Sequence, residues 1–223
     1  MSQQNYALQK PGSYVDKLIL KKRMEMFDLF LKEFPIDACN NVLDVGVTAE
    51  KSAISANFFE ENFRDKNKIT ALSNQNASFL EETYPGLQFK LGDAKKLPFD
   101  DKSIDVVFSS AVIEHVGSLA EQSKMITECV RVSKKGVFIT TPNRWYPIDP
   151  HTSFPLIHWL PKKTHRKILK RIGLEFYALE ENLNLLDTKT IYNICENKGI
   201  KNACIKKIKT FGFTSNLIII IKK

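Results

Sequence analysis

The stretch NVLDVGVTAE, residues 41–50, runs an apolar, β-branched segment into a carboxylate and then a glycine. Such a strand ending in a turn is how many pockets for nucleotide-type cofactors begin, yet the glycines stop at Gly46, and Thr48 and Glu50 stand where two more are usual. Four further β-rich runs follow: KITALS (68–73), LQFKLGD (87–93), IDVVFSS (104–110) and GVFITTP (136–142). Between them lie helical patterns, AEKSAISANFFEENF (49–63), NASFLEETY (76–84) and EQSKMITECVRVSK (121–134). Strands alternating with helices predict an α/β fold, a mostly parallel sheet with right-handed crossovers and helices on both faces. Ligands of such sheets bind outside the carboxyl ends of the strands. That edge gathers Asp44 to Glu50, Ser73 to Gln75, Asp93 with Ala94, and Ser109 to His115.

Upstream, VDKLILKKRMEMFDLFLKEF (15–34) spaces apolar residues as an amphipathic helix that Pro35 ends. Downstream, TKTIYNICENKG (188–199) reads as a helix closed by Gly199, followed by ACIKKIKTFGF and SNLIIIIKK with only Thr214 between them. So short a link excludes a crossover helix and predicts an antiparallel pair. The expected sheet therefore has seven strands in one domain, 1–223. Its parts are an N-terminal helical region (1–37), a core (38–142), an insertion (143–187) that fits no alternation, and a closing helix and strand pair (188–223).

Composition narrows the class. With 223 residues, 43% of them hydrophobic, the chain can bury a sizeable core. No apolar run approaches the roughly 18 residues of a membrane span, and the N-terminus lacks a secretory pattern, which predicts a cytoplasmic protein. Cys39, Cys129, Cys195 and Cys204 form no C-x-x-C pair, so buried free thiols are expected rather than zinc or disulfides. The net charge of +8 is uneven: residues 151–223 hold 14 Lys+Arg against 5 Asp+Glu, or +9. A basic face of that kind suits an anionic partner or is simply solvated surface.

The longest informative run is LGDAKKLPFDDKSIDVVFSSAVIEHV (91–116). Its Gly-Asp-Ala, Leu-Pro-Phe, Ser-hydrophobic-Asp and Glu-His, in that order, resemble the class I S-adenosylmethionine-dependent methyltransferases, in the type 11-like branch acting on small molecules. The likeness covers residues 38–142 well and the C-terminal strands more loosely. TTPNRWYPIDPHTSFPLIHWLPKK (140–163) is similar to a branch associated with bacterial surface-glycan modification.

The resemblance implies a Rossmann-like seven-stranded sheet and S-adenosyl-L-methionine as cofactor. It implies cofactor contacts from Asp44, Gly46, Thr48, Ser73, Asn74, Asp93, Ala94 and Ser110. Asp93 would accept from the adenine amino group while the Ala94 amide donates to the ring. Ser73 replaces the usual carboxylate that grips the ribose, so Ser73, Asn74 or Gln75 is expected there with a weaker, neutral hydrogen bond. His115 is the expected base, because an unperturbed imidazole titrates near 6.5, with Glu114 as the alternative and an aromatic wall or helix-start hydrogen bond as the structural reading of His115. Some relatives bind a metal through Glu-x-x-Glu-His; Ala111 occupies the first acidic position here, and no metal is expected.

The insertion is expected to shape the acceptor pocket. Asn143, Arg144, Trp145 and Tyr146 follow the fifth strand, with His151 and His158 further along. Aromatic faces suit sugar rings and Arg144 suits a phosphate or carboxylate. LPKKTHRKILKRIGL (160–174) is a basic amphipathic segment for an anionic membrane, placing the protein at the inner surface, or a lid helix. A saccharide or glycolipid-linked oxygen is the expected acceptor. Nucleic acid is disfavoured for want of an RNA-binding module or an Asn-Pro-Pro-Tyr-like motif, and a non-catalytic scaffold is the third reading.

Overall fold

The computed structural model describes residues 12–50 and 56–223. A seven-stranded sheet runs in the order β3-β2-β1-β4-β5-β7-β6. Its strands are β1 (Val42–Val45), β2 (Ile69–Ser73), β3 (Gln88–Leu91), β4 (Ile104–Ser110), β5 (Ser133–Pro142), β6 (Ala203–Thr210) and β7 (Phe213–Lys222). The first five pair parallel, and β7 inserts antiparallel between β5 and β6. The mostly parallel sheet and its antiparallel end agree with the sequence reading.

One face carries α1 (Tyr14–Glu33), α2 (Phe58–Asn62) and α3 (Phe79–Thr83). Phe30 of α1 is fully buried, edge-on to Phe59, Phe108 and Phe138 at 5.4, 5.1 and 5.4 Å between ring centroids. The opposite face packs α4 (Leu119–Val132) and α7 (Thr188–Asn197) through Met125, Ile126, Cys129, Ile191 and Ile194. Helices α1, α4 and α7 begin on a side-chain cap: Ser13 accepts from the Asp16 amide, Ser118 from Glu121 and Asp187 from Thr190.

One end agrees with expectation and another differs from it. Gly199 closes α7 at φ +67°, with its amide on the Glu196 carbonyl and that of Ile200 on Cys195, the Schellman arrangement. The last hairpin turns at Phe211–Gly212 instead of at Thr214, because both residues adopt positive φ (51° and 83°), as a two-residue turn between twisted strands requires. Thr214 then pairs with Lys209 inside the ladder. The expected helix over 49–63 is described only from α2, and residues 51–55 of it lie outside the described residues. Cys39, Cys129 and Cys195 are buried as expected, whereas Cys204 lies exposed on the edge strand.

The insertion has structure of its own: α5 (Lys162–Arg171) and α6 (Glu175–Ala178) enclose a small core of Leu169, Tyr177, Ala178, Leu183 and Leu185. No helix among the described residues is long and apolar enough to cross a membrane.

Candidate active site at the switch point

The strand order reverses between β1 and β4, and a crevice at their carboxyl ends is where such sheets bind ligands. Asp44 and Gly46 come from β1, and Ser110 to His115 from β4. Ala111, at φ +56°, turns the chain so that Val112 lies over Gly46: a Cβ on Gly46 would sit 2.2 Å from Val112 Cγ2. Gly46 also holds φ +99°, and its amide donates to the Leu72 carbonyl at 2.7 Å. Glycine is thus required by the β1–β4 junction itself.

The loop that lacks further glycines is fastened by Asn57. Its Nδ2 donates to the Thr48 carbonyl at 3.0 Å, and its Oδ1 accepts from the Thr48 amide at 3.0 Å. Thr48 Oγ1 accepts from the Glu50 amide at 3.0 Å, so this side chain organises the loop. Asn57 adopts φ +47°, a conformation asparagine tolerates better than most residues.

Below the loop, Asp44 and Glu60 form a buried acid pair. Burial holds Glu60 protonated up to about 7 and, with Glu60 beside it, raises Asp44 well above the usual carboxylate range. Arg23 of α1 reaches the same crevice, stacked on Phe58 at 5.4 Å, where burial lowers its pKa and the charges of Glu114, Asp16 and Asp44 oppose that effect.

The other expected cofactor contacts are dispersed along the edge. Ser73 is buried and its Oγ accepts from the Gln75 amide at 3.2 Å, which leaves Asn74 as the exposed side chain there. Asp93 is exposed, its Oδ1 accepting from the Lys95 amide at 2.9 Å and lying 3.1 Å from Lys95 Nζ. Ala94 packs beside it, half-buried. Ser110 Oγ meets Thr140 Oγ1 at 3.1 Å across the ends of β4 and β5.

Glu114 and His115 sit in the turn after β4, and the insertion lays His151 against them. Thr141 Oγ1 donates to Glu114 Oε2 at 2.9 Å, while Oε1 faces His115 Nε2 at 3.9 Å and His151 Nε2 at 3.8 Å. His115 Nδ1 donates to the Asn182 carbonyl at 2.6 Å, and His151 Nδ1 lies 3.2 Å from Asp149 Oδ1. Burial first, and then His151, pull His115 down to about 3. The near-neutral titration expected of it as a base is therefore corrected: its desolvated ring resists protonation. Burial raises Glu114 instead, making it the more basic group.

The six expected acceptor residues do not converge. Asn143 fastens the insertion to β7, its Nδ2 donating to the Thr214 carbonyl at 2.9 Å. Arg144 donates to the carbonyls of His158 and Leu160 at 3.4 and 3.1 Å and stacks on Trp145 at 5.0 Å. The Tyr146 carbonyl accepts from His158 Nε2 at 2.7 Å, so His158 is a structural donor. Asn143 and Trp145 do line a cleft of about 410 Å³ with Asp187, Thr188, Lys189, Lys207 and Thr214. Arg23, Asn57 and Glu60 were missed: on a helix pattern they read as ordinary polar positions, and only folding turns them inward.

The sequence pattern of the methyltransferase domain family matches residues 43–140. A probable S-adenosylmethionine-dependent methyltransferase of Mycolicibacterium smegmatis is 43% identical over 63 residues, 27% of this chain and 23% of that protein. A ubiquinone biosynthesis O-methyltransferase of Rickettsia bellii is 34% identical over 110 residues, 45% of this chain and 44% of that one. The chain thus spans less than half the length of these relatives. In fold it resembles the magnesium protoporphyrin IX methyltransferase of Synechocystis, crystallised with S-adenosylhomocysteine bound, with a TM-score of 0.56 at 12% identity over 96% of this chain and 90% of the other. Residues 43–140 thus carry the sequence pattern of a methyltransferase domain, on a fold shared with methyltransferases of known structure.

Proposed function

We propose that this protein transfers a methyl group from S-adenosylmethionine to a hydroxyl oxygen of a saccharide or glycolipid-linked acceptor met at an anionic membrane surface. The observation that carries the cofactor assignment is the buried Asp44–Glu60 pair beside Arg23 at the switch point. Two carboxyl groups and a guanidinium fit the ammonium and carboxylate of a methionine moiety. When bound, the cofactor supplies a methyl already activated on a sulfonium. The chain's own residues then have positioning and desolvation to provide. Asp93 and Ala94 would meet the adenine edge and Asn74 the ribose. Glu114, whose carboxyl burial makes more basic than usual, takes up the proton of the acceptor hydroxyl, while His115, fixed by Asn182, orients it.

The acceptor assignment draws support from the cleft at the carboxyl end of β5, where the exposed ring of Trp145 offers a face to a sugar and Asp187 and Lys207 offer polar edges. The membrane assignment draws on the same insertion. Trp145 and Trp159 lie 6.2 Å apart, Phe154, Leu156 and Leu160 are exposed nearby in the chain, and α5 presents Lys163, Lys167, Lys170 and Arg171 to solvent. Exposed aromatic and aliphatic groups flanked by cations suit anionic lipid. Incubating the protein with methyl-labelled cofactor and vesicles bearing lipid-linked saccharides tests both parts. Label in the lipid-linked saccharide is expected, with salt-reversible pelleting on anionic vesicles; label in RNA, or in no acceptor, would contradict the assignment.

A further inference from the structure

We infer that the insertion carries a pocket for a doubly charged phosphate group, formed by Arg144, Lys162 and Arg166 together with His158 and His165. These residues and Asn184 line a cavity of about 20 Å³ that reaches the first turn of α5. That volume admits about one water-sized atom. It takes an oxygen of a small oxyanion, with the rest of the ligand standing outside, and has no room for a sugar ring or a nucleobase.

Positive charge is in excess there. Arg166 Nη2 meets Glu180 Oε1 at 3.1 Å, whereas neither Arg144 nor Lys162 is in ion-pair contact with a carboxylate among the described residues. Three fixed cations against one carboxylate leave two charges, the number that a phosphate monoester carries near neutral pH. A carboxylate ligand would answer only one of them. Arg144 donates to the carbonyls of His158 and Leu160, and Lys162 to Asn184 Oδ1, so each keeps further N–H groups for a ligand. Burial first, and then the charges of Arg144 and Arg166, lower the pKa of Lys162.

The two histidines point to a ligand independently of that charge. Both are more than nine-tenths buried, His158 at 2% and His165 at 8% exposure. His158 Nε2 donates to the Tyr146 carbonyl at 2.7 Å, while His158 Nδ1 and His165 Nε2 have no hydrogen-bonding partner among the described residues. A buried polar atom in that state costs free energy unless a ligand answers it. Burial, joined by the charges of His158, Arg144 and Arg166 and opposed by Asp149, holds His165 down to about 4. A phosphate offsets the repulsion, and the two rings, once protonated, donate to its oxygens. Asn184 joins the pocket to the turn after β4, because its Oδ1 accepts from Lys162 while its amide donates to the Glu114 carbonyl at 2.8 Å. A role as the grip on a phosphate of the saccharide acceptor rests on the methyl-transfer reading; phosphate binding itself does not.

Titration of the whole chain with inorganic phosphate and with glucose 1-phosphate, followed by calorimetry and by the histidine ring signals in NMR, tests the pocket without cofactor or acceptor. One saturable equivalent is expected, weakened about tenfold or more by Lys162→Gln and by Arg166→Gln and unchanged by Lys201→Gln, an exposed lysine outside the pocket. Thermal melts establish that each variant folds. Should a pocket variant fail to, the wild-type ring signal of His165 decides, since it must shift and saturate with phosphate but not with chloride at equal ionic strength. Vesicles of phosphatidylcholine carrying either phosphatidic acid or phosphatidylglycerol at matched charge identify the source. A preference for phosphatidic acid that Lys162→Gln abolishes assigns a lipid-borne monoester, and binding of glucose 1-phosphate without that preference assigns a soluble one; both bear out the pocket. Absence of saturable phosphate binding, or binding equal in wild type and the pocket variants, would overturn it. Phosphate binding without methyl transfer would leave it standing while contradicting the acceptor reading.

Discussion

At the scale of single residues, the crevice is defined by groups whose surroundings override their type. Gly46→Ala must push Cβ into Val112 and hold φ +99°, which costs about 2–4 kcal/mol in urea unfolding. Adding Val112→Ala should restore part of that loss, because it removes the colliding methyls but leaves the backbone strain. The Glu60 carboxyl carries a signed expectation of its own. Its pKa is raised from 4.5 to about 7, so between those values the folded chain holds more protons than the unfolded one, and stability falls as pH rises through that window. Glu60→Gln removes this contribution; the gap between variant and wild type should widen in the variant's favour from pH 4.5 to 7, and an unchanged gap would contradict the buried pair. Asp44 and Gly46 were legible because a strand followed by a carboxylate and glycine has few other uses. Glu60 was not, since FFEEN reads equally as a helix with its acids in water.

At the scale of elements, legibility followed periodicity. The central strands appear in the sequence as apolar runs within a few residues of their bounds, because burial on both faces demands it, while the edge strands β3 and β6 mix lysines with apolar residues. What the pattern could not give was the partner of each face. The phenylalanines of α1 satisfy helical spacing, but their edge-on packing against Phe59, Phe108 and Phe138 depends on how α1 crosses the sheet. Phe30→Ala at the centre of that cluster should cost about 3–5 kcal/mol and lower the thermal midpoint accordingly. A loss below about 1 kcal/mol would mean that α1 is not docked as described. The hairpin was displaced by a turn whose first residue, Phe211, gives no sequence signal for positive φ, so only Gly212 pointed to it.

At the scale of the whole molecule, a parallel sheet brings β1 and β4 together at one edge and the insertion closes over them. His151 reaches Glu114 across a long stretch of chain, a juxtaposition that no local spacing in the sequence reveals. Most of the basic excess falls on residues 188–223, but α5 of the insertion carries a run of cations of its own. Replacing Lys163, Lys167 and Lys170 by alanine should weaken partition to anionic vesicles by about 100-fold at low salt, at about 1 kcal/mol per lysine. Equal partition of wild type and variant would remove the membrane from the account.

Titration of the whole chain with S-adenosylmethionine and S-adenosylhomocysteine by calorimetry bears most directly on the central claim that the switch point holds this cofactor. Saturable one-to-one binding is expected, with Kd on the order of micromolar to sub-millimolar, and at least about tenfold weaker in Asp44→Ala. No heat at millimolar concentration of either compound, from wild-type protein shown to be folded, would contradict it.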